Sequence, residues 1–186
     1  MGQDRELQLV TDIRKGDRSA MSDLYRYYIG YLRALCSRYV TDDDDVNDIL
    51  QSCFIKIFTS MDRFQYRGQG SLKAWISRIT VNESLRFLHR NRKDDAFKDS
   101  ILKEAEESDD ADPEVEDIPA DVLQQMIRDL PDGYRSVFNL YVLEEKSHRE
   151  IAEMLGITES TSASQFHRAK KILAARIKEY RKRTNG

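Results

Sequence analysis

Between Asp94 and Asp121 the chain carries 13 acidic residues and two lysines, a net charge of −11 over 28 positions. So dense a run of like charge, with few aromatics, cannot bury enough apolar surface to offset the entropy of ordering. The segment reads as a flexible linker, with Ile101 and Leu102 able to nucleate no more than a helical turn. It divides the 186 residues into blocks 1–93 and 122–186. The first block holds 16 Lys/Arg against 12 Asp/Glu and the second 12 against 8, so each is net +4, a division that the overall charge of −3 conceals. Any fold for this chain is two small domains on an acidic tether.

Both blocks are written in helical periods. Met21, Leu24, Tyr25, Tyr28, Leu32, Leu35, Cys36 and Tyr39 recur at three- and four-residue steps, which predicts a long amphipathic helix capped by Asp17 or Ser19. Val46, Ile49, Leu50, Cys53, Phe54 and Ile57 form a second stripe. After the glycine-bearing break FQYRGQGS, a helix from about Leu72 carries Trp75, Ile76 and Ile79 on one side and Val81, Leu85 and Leu88 on the other. A helix apolar on two sides belongs in the middle of a bundle. Beyond the acidic segment, Leu123, Met126, Ile127 and Leu130 begin a new stripe, and Tyr134, Val137, Phe138 and Tyr141 the next. No strand-like alternation and no internal repeat occur, so the expected class is all-α.

Several function classes fall away. Cys36 and Cys53 sit at apolar positions and read as small buried side chains in a reducing compartment. No apolar run approaches the roughly 18–20 residues of a membrane span, and MGQDRELQLV has no signal-peptide core. A cytoplasmic protein with no membrane partner is expected. His89, His148 and His167 lack metal-ligand spacing, and no phosphate-cradling glycine loop or nucleophile–base grouping is present. Neither metal nor cofactor nor enzymatic activity is expected.

The stretch SHREIAEMLGITESTSASQFHRAKK, from Ser147, carries more information. Ser147 and Glu150 fit a capping box, Gly156 supplies a tight turn and Thr158 can cap the helix that follows. At 100° per residue, Ser162, Phe166, Ala169 and Leu173 share one face of that helix. Ser160, Ser164, His167, Arg168 and Lys171 point the other way, with Thr161 and Ala163 on the flanks. Small hydroxyl residues let a helix approach base edges in a major groove, and the cations that follow can neutralise phosphates. A solvated face on an ordinary helical hairpin would give the same pattern, so both readings stay open on these residues alone.

LPDGYRSVFNLYVLEEKSHREIAEMLGITESTSASQFHRAKKIL resembles the fourth conserved region of the extracytoplasmic-function group of bacterial sigma factors. DILQSCFIKIF and FQYRGQGSLKAWISRITVNESLRFLHRNRK resemble parts of that group's second region, in the same order and spacing. The resemblance spans nearly the whole chain except the linker. It implies a promoter-specificity subunit of RNA polymerase. Residues 1–93 would bind the polymerase clamp and melt the −10 element, and residues 122–186 would read the −35 element as duplex. It also implies core polymerase, promoter DNA and an anti-sigma factor as partners.

Residue roles follow from the resemblance. Asp44, Asp48, Gln51, Ser52 and Ile55 share the outward face of the second helix, either a protein-binding patch or a solvated face with one stray isoleucine. The family places its clamp contact there, which implies Asp48, Gln51 and Ile55. For the melted strand it implies Phe64, Tyr66 and Arg67 on the loop and Asn82 on the adjoining helix, where the family has a base-contacting asparagine. Arg86, Arg90, Arg92 and Lys93 would meet backbone phosphates, while Trp75 belongs to the core. For the −35 duplex the implied set is Arg149, Ser160, Thr161, Ser164, His167, Arg168 and Lys171.

Two departures stand out. Ser162-Ala163 replaces a frequent Val-Lys, which should weaken packing slightly and remove a groove contact, and Gln165 stands where arginine is frequent. The acidic linker has two possible roles, a spacer or a segment that folds back over the basic faces. A stand-alone helix–turn–helix regulator would leave the N-terminal block without a job. A sigma mimic that never touches DNA would not need Arg168 and Lys171.

Overall fold

The long stripe from Met21 becomes a helix whose start is fixed by Asp17, the carboxylate of which accepts the backbone N–H groups of Ser19 and Ala20. Of the two expected caps it is Asp17 that acts. The computed structural model describes residues 5–91, 115 and 117–184. Among them are eight α-helices and a 3-10 turn at Met61–Arg63, with no strand, as the periodicity predicts. The helices are α1 (Arg5–Arg14), α2 (Arg18–Cys36), α3 (Asp43–Ser60), α4 (Ser71–Arg90), α5 (Ala120–Arg128), α6 (Asp132–Val142), α7 (His148–Leu155) and α8 (Glu159–Thr184). Arg92, Lys93, Ile101, Leu102 and the rest of the acidic segment through residue 114 lie outside the described residues.

The chain divides after Phe87 into two units. In the first, Leu24, Tyr28, Leu32, Leu35 and Cys36 of α2 are buried, as are Val46, Ile49, Leu50, Cys53, Phe54 and Ile57 of α3. The acidic run before α3 has a local cause. Asp42 caps the helix by accepting from the N–H groups of Asp44 and Asp45 at 3.0 Å, and the carboxylates of Asp43, Asp44 and Asp45 favour the positive end of the helix dipole. As expected of a central helix, α4 buries residues on a wide arc, Leu72, Ile76, Ile79, Val81 and Leu85 among them. Tyr25 departs from the predicted stripe: it is 46% exposed and leans on Phe54, ring centroids 4.6 Å apart. The sequence stripes also miss α1 altogether, because Val10 and Ile13 are its two buried residues and leave no period to follow.

In the second unit, Leu130, Tyr134, Ala169, Ile172 and Leu173 form the core, with Met126, Ile127 and Phe138 packed against it. Arg135 is buried and works as a cap. Its guanidinium donates to the carbonyls of Arg128 and Leu130 at the end of α5, and pairs with Asp132 at 2.6 Å. This unit starts earlier than residue 122. Ile118 is buried, α5 begins at Ala120, and Asp117 pairs with Arg181 near the far end of α8. One isoleucine among acids gives no periodic signal, so residues 117–121 read as linker when they are packed structure.

Candidate functional site

The helix–turn–helix is built by three local devices. Ser147 accepts from the N–H of Glu150, whose carboxylate accepts the N–H of Ser147 in return, a complete capping box. Those bonds, the Ser147 backbone donor foremost, hold the Glu150 carboxyl below its usual range. Gly156 closes α7 with φ of +64°, a left-handed conformation that glycine adopts without a Cβ penalty. Thr158 Oγ1 then accepts from the N–H of Thr161 at 3.0 Å and starts α8.

Anchoring of α8 follows the predicted division of faces. Ser162, Ala169 and Leu173 are buried, and Phe166 is half-buried beneath Tyr141, centroid separation 4.3 Å. Ser160, Ser164, His167 and Arg168 are exposed, Thr161 and Lys171 half-buried at the edges. Ser164 donates to the carbonyl of Thr161 at 3.0 Å, which leaves its oxygen lone pairs as acceptors toward solvent. Arg149, exposed on α7, faces Glu153 at 3.7 Å across a pair exposed on both sides, too weak to hold it there.

Ser162 lies on the core face as expected, fully buried, and its hydroxyl is bonded to His148 Nδ1 at 3.0 Å. The His148 ring in turn stacks on Tyr141, 4.7 Å between centroids and 21° between planes. A hydrogen bond between α7 and α8 thus takes the place of aliphatic contact. Gln165 packs beside Gly133 of α6 rather than standing clear of the domain.

On the first unit, the predicted strand-binding residues separate. Phe64 is 5% exposed, its ring 5.0 Å from that of Trp75. It is therefore a core side chain, and the expectation that it stacks on a base is corrected; the loop position was right, but the aromatic side chain turns inward. Trp75, expected in the core, is half-buried beside it. Tyr66 is half-buried and its hydroxyl is enclosed with no hydrogen-bond partner, while Arg67 is exposed. Asn82, Arg86 and Arg90 are all exposed on α4 at four-residue steps. Arg86 pairs with Glu83, which Lys56 of α3 also meets at 2.7 Å. Although burial pushes the Glu83 carboxyl up, the hydrogen bonds and charges of Lys56 and Arg86 outweigh it and hold it below its usual value.

Asp44, Asp48, Gln51, Ser52 and Ile55 are exposed on the outer face of α3 as predicted, with Ile55 at 66%. Tyr25 on α2 adds further exposed apolar surface beside Phe54. An isoleucine so far out of the core, among carboxylates and an amide, is a surface suited to a protein partner.

These three surfaces lie in segments that match known families. Residues 24–94 match the family model for Sigma-70 region 2, and residues 120–173 that for Sigma-70, region 4. The ECF RNA polymerase sigma-E factor of Escherichia coli K12 is 30% identical over 179 residues, covering 91% of this chain and 92% of that protein. This chain belongs to the ECF RNA polymerase sigma factors. The sigma factor SigW of Bacillus subtilis is 28% identical over 181 residues, 91% of this chain and 95% of SigW. In fold, the sigma factor resembles RpoE solved with the anti-sigma factor NepR from Bartonella quintana. The TM-score is 0.50 at 18% identity, with 84% of this chain and 96% of that one covered. With both regions on one chain, a stand-alone helix–turn–helix regulator no longer accounts for it.

Sequence reasoning missed two kinds of residue in this sigma factor. Arg78 is exposed four positions before Asn82 and extends its row, which the same four-residue step would have found. Glu6 and Arg14 of α1 bond to Gly70 and Phe64 at the two ends of the loop that carries Tyr66 and Arg67, and nothing in the spacing marks them.

Proposed function

We propose that this sigma factor directs core RNA polymerase to promoters through two separate DNA contacts. The outer face of α3, with Asp48, Gln51 and Ile55, docks on the polymerase. Tyr66 and Arg67 on the loop and Asn82 on α4 take up unstacked bases of the −10 element, while Arg86 and Arg90 meet backbone phosphates. Arg92, outside the described residues, is a further proposed phosphate contact. Ser160, Thr161 and Ser164 meet base edges of the −35 duplex, and Arg149, His167, Arg168 and Lys171 its phosphates. The observation that supports this best is the first two turns of α8, exposed small hydroxyls on one face and Ser162 buried on the other.

The domains so used are residues 1–93 and 117–186, joined by the rest of the acidic segment. The protein initiates transcription without catalysing a covalent step and works in the cytoplasm. Among the described residues no helix is long and apolar enough to cross a membrane, and no group of three His, Cys, Asp or Glu could hold a metal ion. An anti-sigma factor is a further proposed partner, as RpoE of Bartonella quintana has in NepR.

Run-off transcription with core polymerase tests the reading. Adding the protein to core enzyme on genomic promoter DNA yields discrete new transcripts. Altered intensity of existing transcripts alone, or no transcript, would contradict it.

A further inference from the structure

Glu6, Val10 and Arg14 are four residues apart and so lie along one side of α1, about 12 Å from end to end. Val10 at the centre is fully buried, and the two charged ends reach opposite limits of one loop. At one limit, the Arg14 guanidinium donates from Nε and Nη2 to the Met61 carbonyl at 3.3 and 3.2 Å, and from Nη2 to the Phe64 carbonyl. At the other, Glu6 Oε2 accepts the backbone N–H of Gly70 at 2.8 Å. The second Glu6 oxygen accepts from the hydroxyl of Tyr28, a buried side chain of α2, at 3.2 Å, which aims the carboxylate.

Between those two anchors run Gln65, Tyr66, Arg67, Gly68 and Gln69. The loop fastens itself at two points, Arg67 N–H to Ser71 Oγ at 3.2 Å and Ser71 N–H to the Gly68 carbonyl at 3.1 Å, both near its α4 end. Gly68 and Gly70 have φ of +110° and +86°, left-handed conformations that give the segment alternatives. A loop of this kind needs outside support if Tyr66 and Arg67 are to meet a base in a fixed geometry. Charge-assisted bonds of the sort that Glu6 and Arg14 make are about twice as strong as neutral ones.

We infer that α1 is a positioning element for reading of the −10 element: Glu6 and Arg14 clamp the two ends of the Phe64–Gly70 loop so that Tyr66 and Arg67 are held ready for an unstacked base. The inference rests on the proposed −10 role of that loop. Neither Glu6 nor Arg14 touches DNA in it.

The test uses reconstituted holoenzyme and a set of promoters that differ by single bases in the −10 element, with open-complex formation read by permanganate reactivity. Glu6→Ala and Arg14→Ala each lower discrimination between the best and the substituted bases by about tenfold. Affinity for core polymerase and for −35 duplex stays at the wild-type level, which a loss of the whole fold would not allow. Glu6→Gln, which keeps an oxygen for Gly70, restores most of the discrimination. If Arg67→Ala and Tyr66→Ala abolish discrimination while Glu6→Ala and Arg14→Ala leave it intact, the positioning role is wrong. If all four leave it intact, the −10 role of the loop is what fails, and the clamp falls with it.

Discussion

Phe64 and Tyr66 are two positions apart on one loop and differ in burial, Phe64 buried and Tyr66 only partly covered. Phe64 lies against Trp75 in the core, whereas the Tyr66 hydroxyl is enclosed without a partner, a costly state for a polar atom. Truncation separates their roles. Phe64→Ala lowers stability by about 3 kcal/mol through the lost packing, read by chemical denaturation, whereas Phe64→Leu keeps both the fold and open-complex formation. Promoter melting abolished by Phe64→Leu in a fully stable protein would restore Phe64 as a base contact. The buried aromatic was beyond reach of the sequence because a short loop has no period to say which side chains turn inward. The outward placement of Ser164 was legible because a regular helix fixes the face of every residue once its stripe is known, whereas Asn82 was singled out by the family resemblance alone.

At the scale of elements, α3 and α4 are tied by a carboxylate shared between two cations, Glu83 between Lys56 and Arg86. The folded pKa of Glu83 is lowered, so its contribution to stability is complete above the unfolded carboxyl value, about 4.3, and is lost as pH falls through the lower folded one. Glu83→Gln therefore costs about 1–2 kcal/mol at neutral pH, a figure reduced because both cations are about half-exposed, and the deficit shrinks toward acid. A deficit that is constant from pH 7 to about pH 3, by urea denaturation, would rule out the ion pairs as its cause. Helix α3 makes a second prediction on its other side. Ile55 is exposed, so Ile55→Asp leaves the unfolding midpoint within about 0.5 kcal/mol of wild type but weakens affinity for core polymerase at least tenfold. Equal affinity of the variant would move the docking surface elsewhere. Element types were legible from periodicity throughout α2 to α4 and α5 to α8. Helix α1 was not, since two buried residues in ten look like any charged N-terminus.

Across the whole molecule, the two helical units carry different exposed faces. The first offers a row of exposed polar and basic residues, Arg78, Asn82 and Arg86, suited to a single strand. The second offers a capped, anchored helix with small hydroxyls at its start, suited to a duplex groove. The charge division along the sequence made the two-part organisation visible, but it placed the second unit a few residues late, since Asp117 and Ile118 are already packed against it. The most direct measurement is a footprint of reconstituted holoenzyme on a promoter, with permanganate reporting unpaired thymines at −10 and nuclease protection reporting −35. Asn82→Ala suppresses the thymine reactivity and keeps −35 protection, whereas the Ser164→Ala, Arg168→Ala double substitution loses −35 protection first. If both variants change the two regions together, or neither region responds, the division of labour between the two units is wrong.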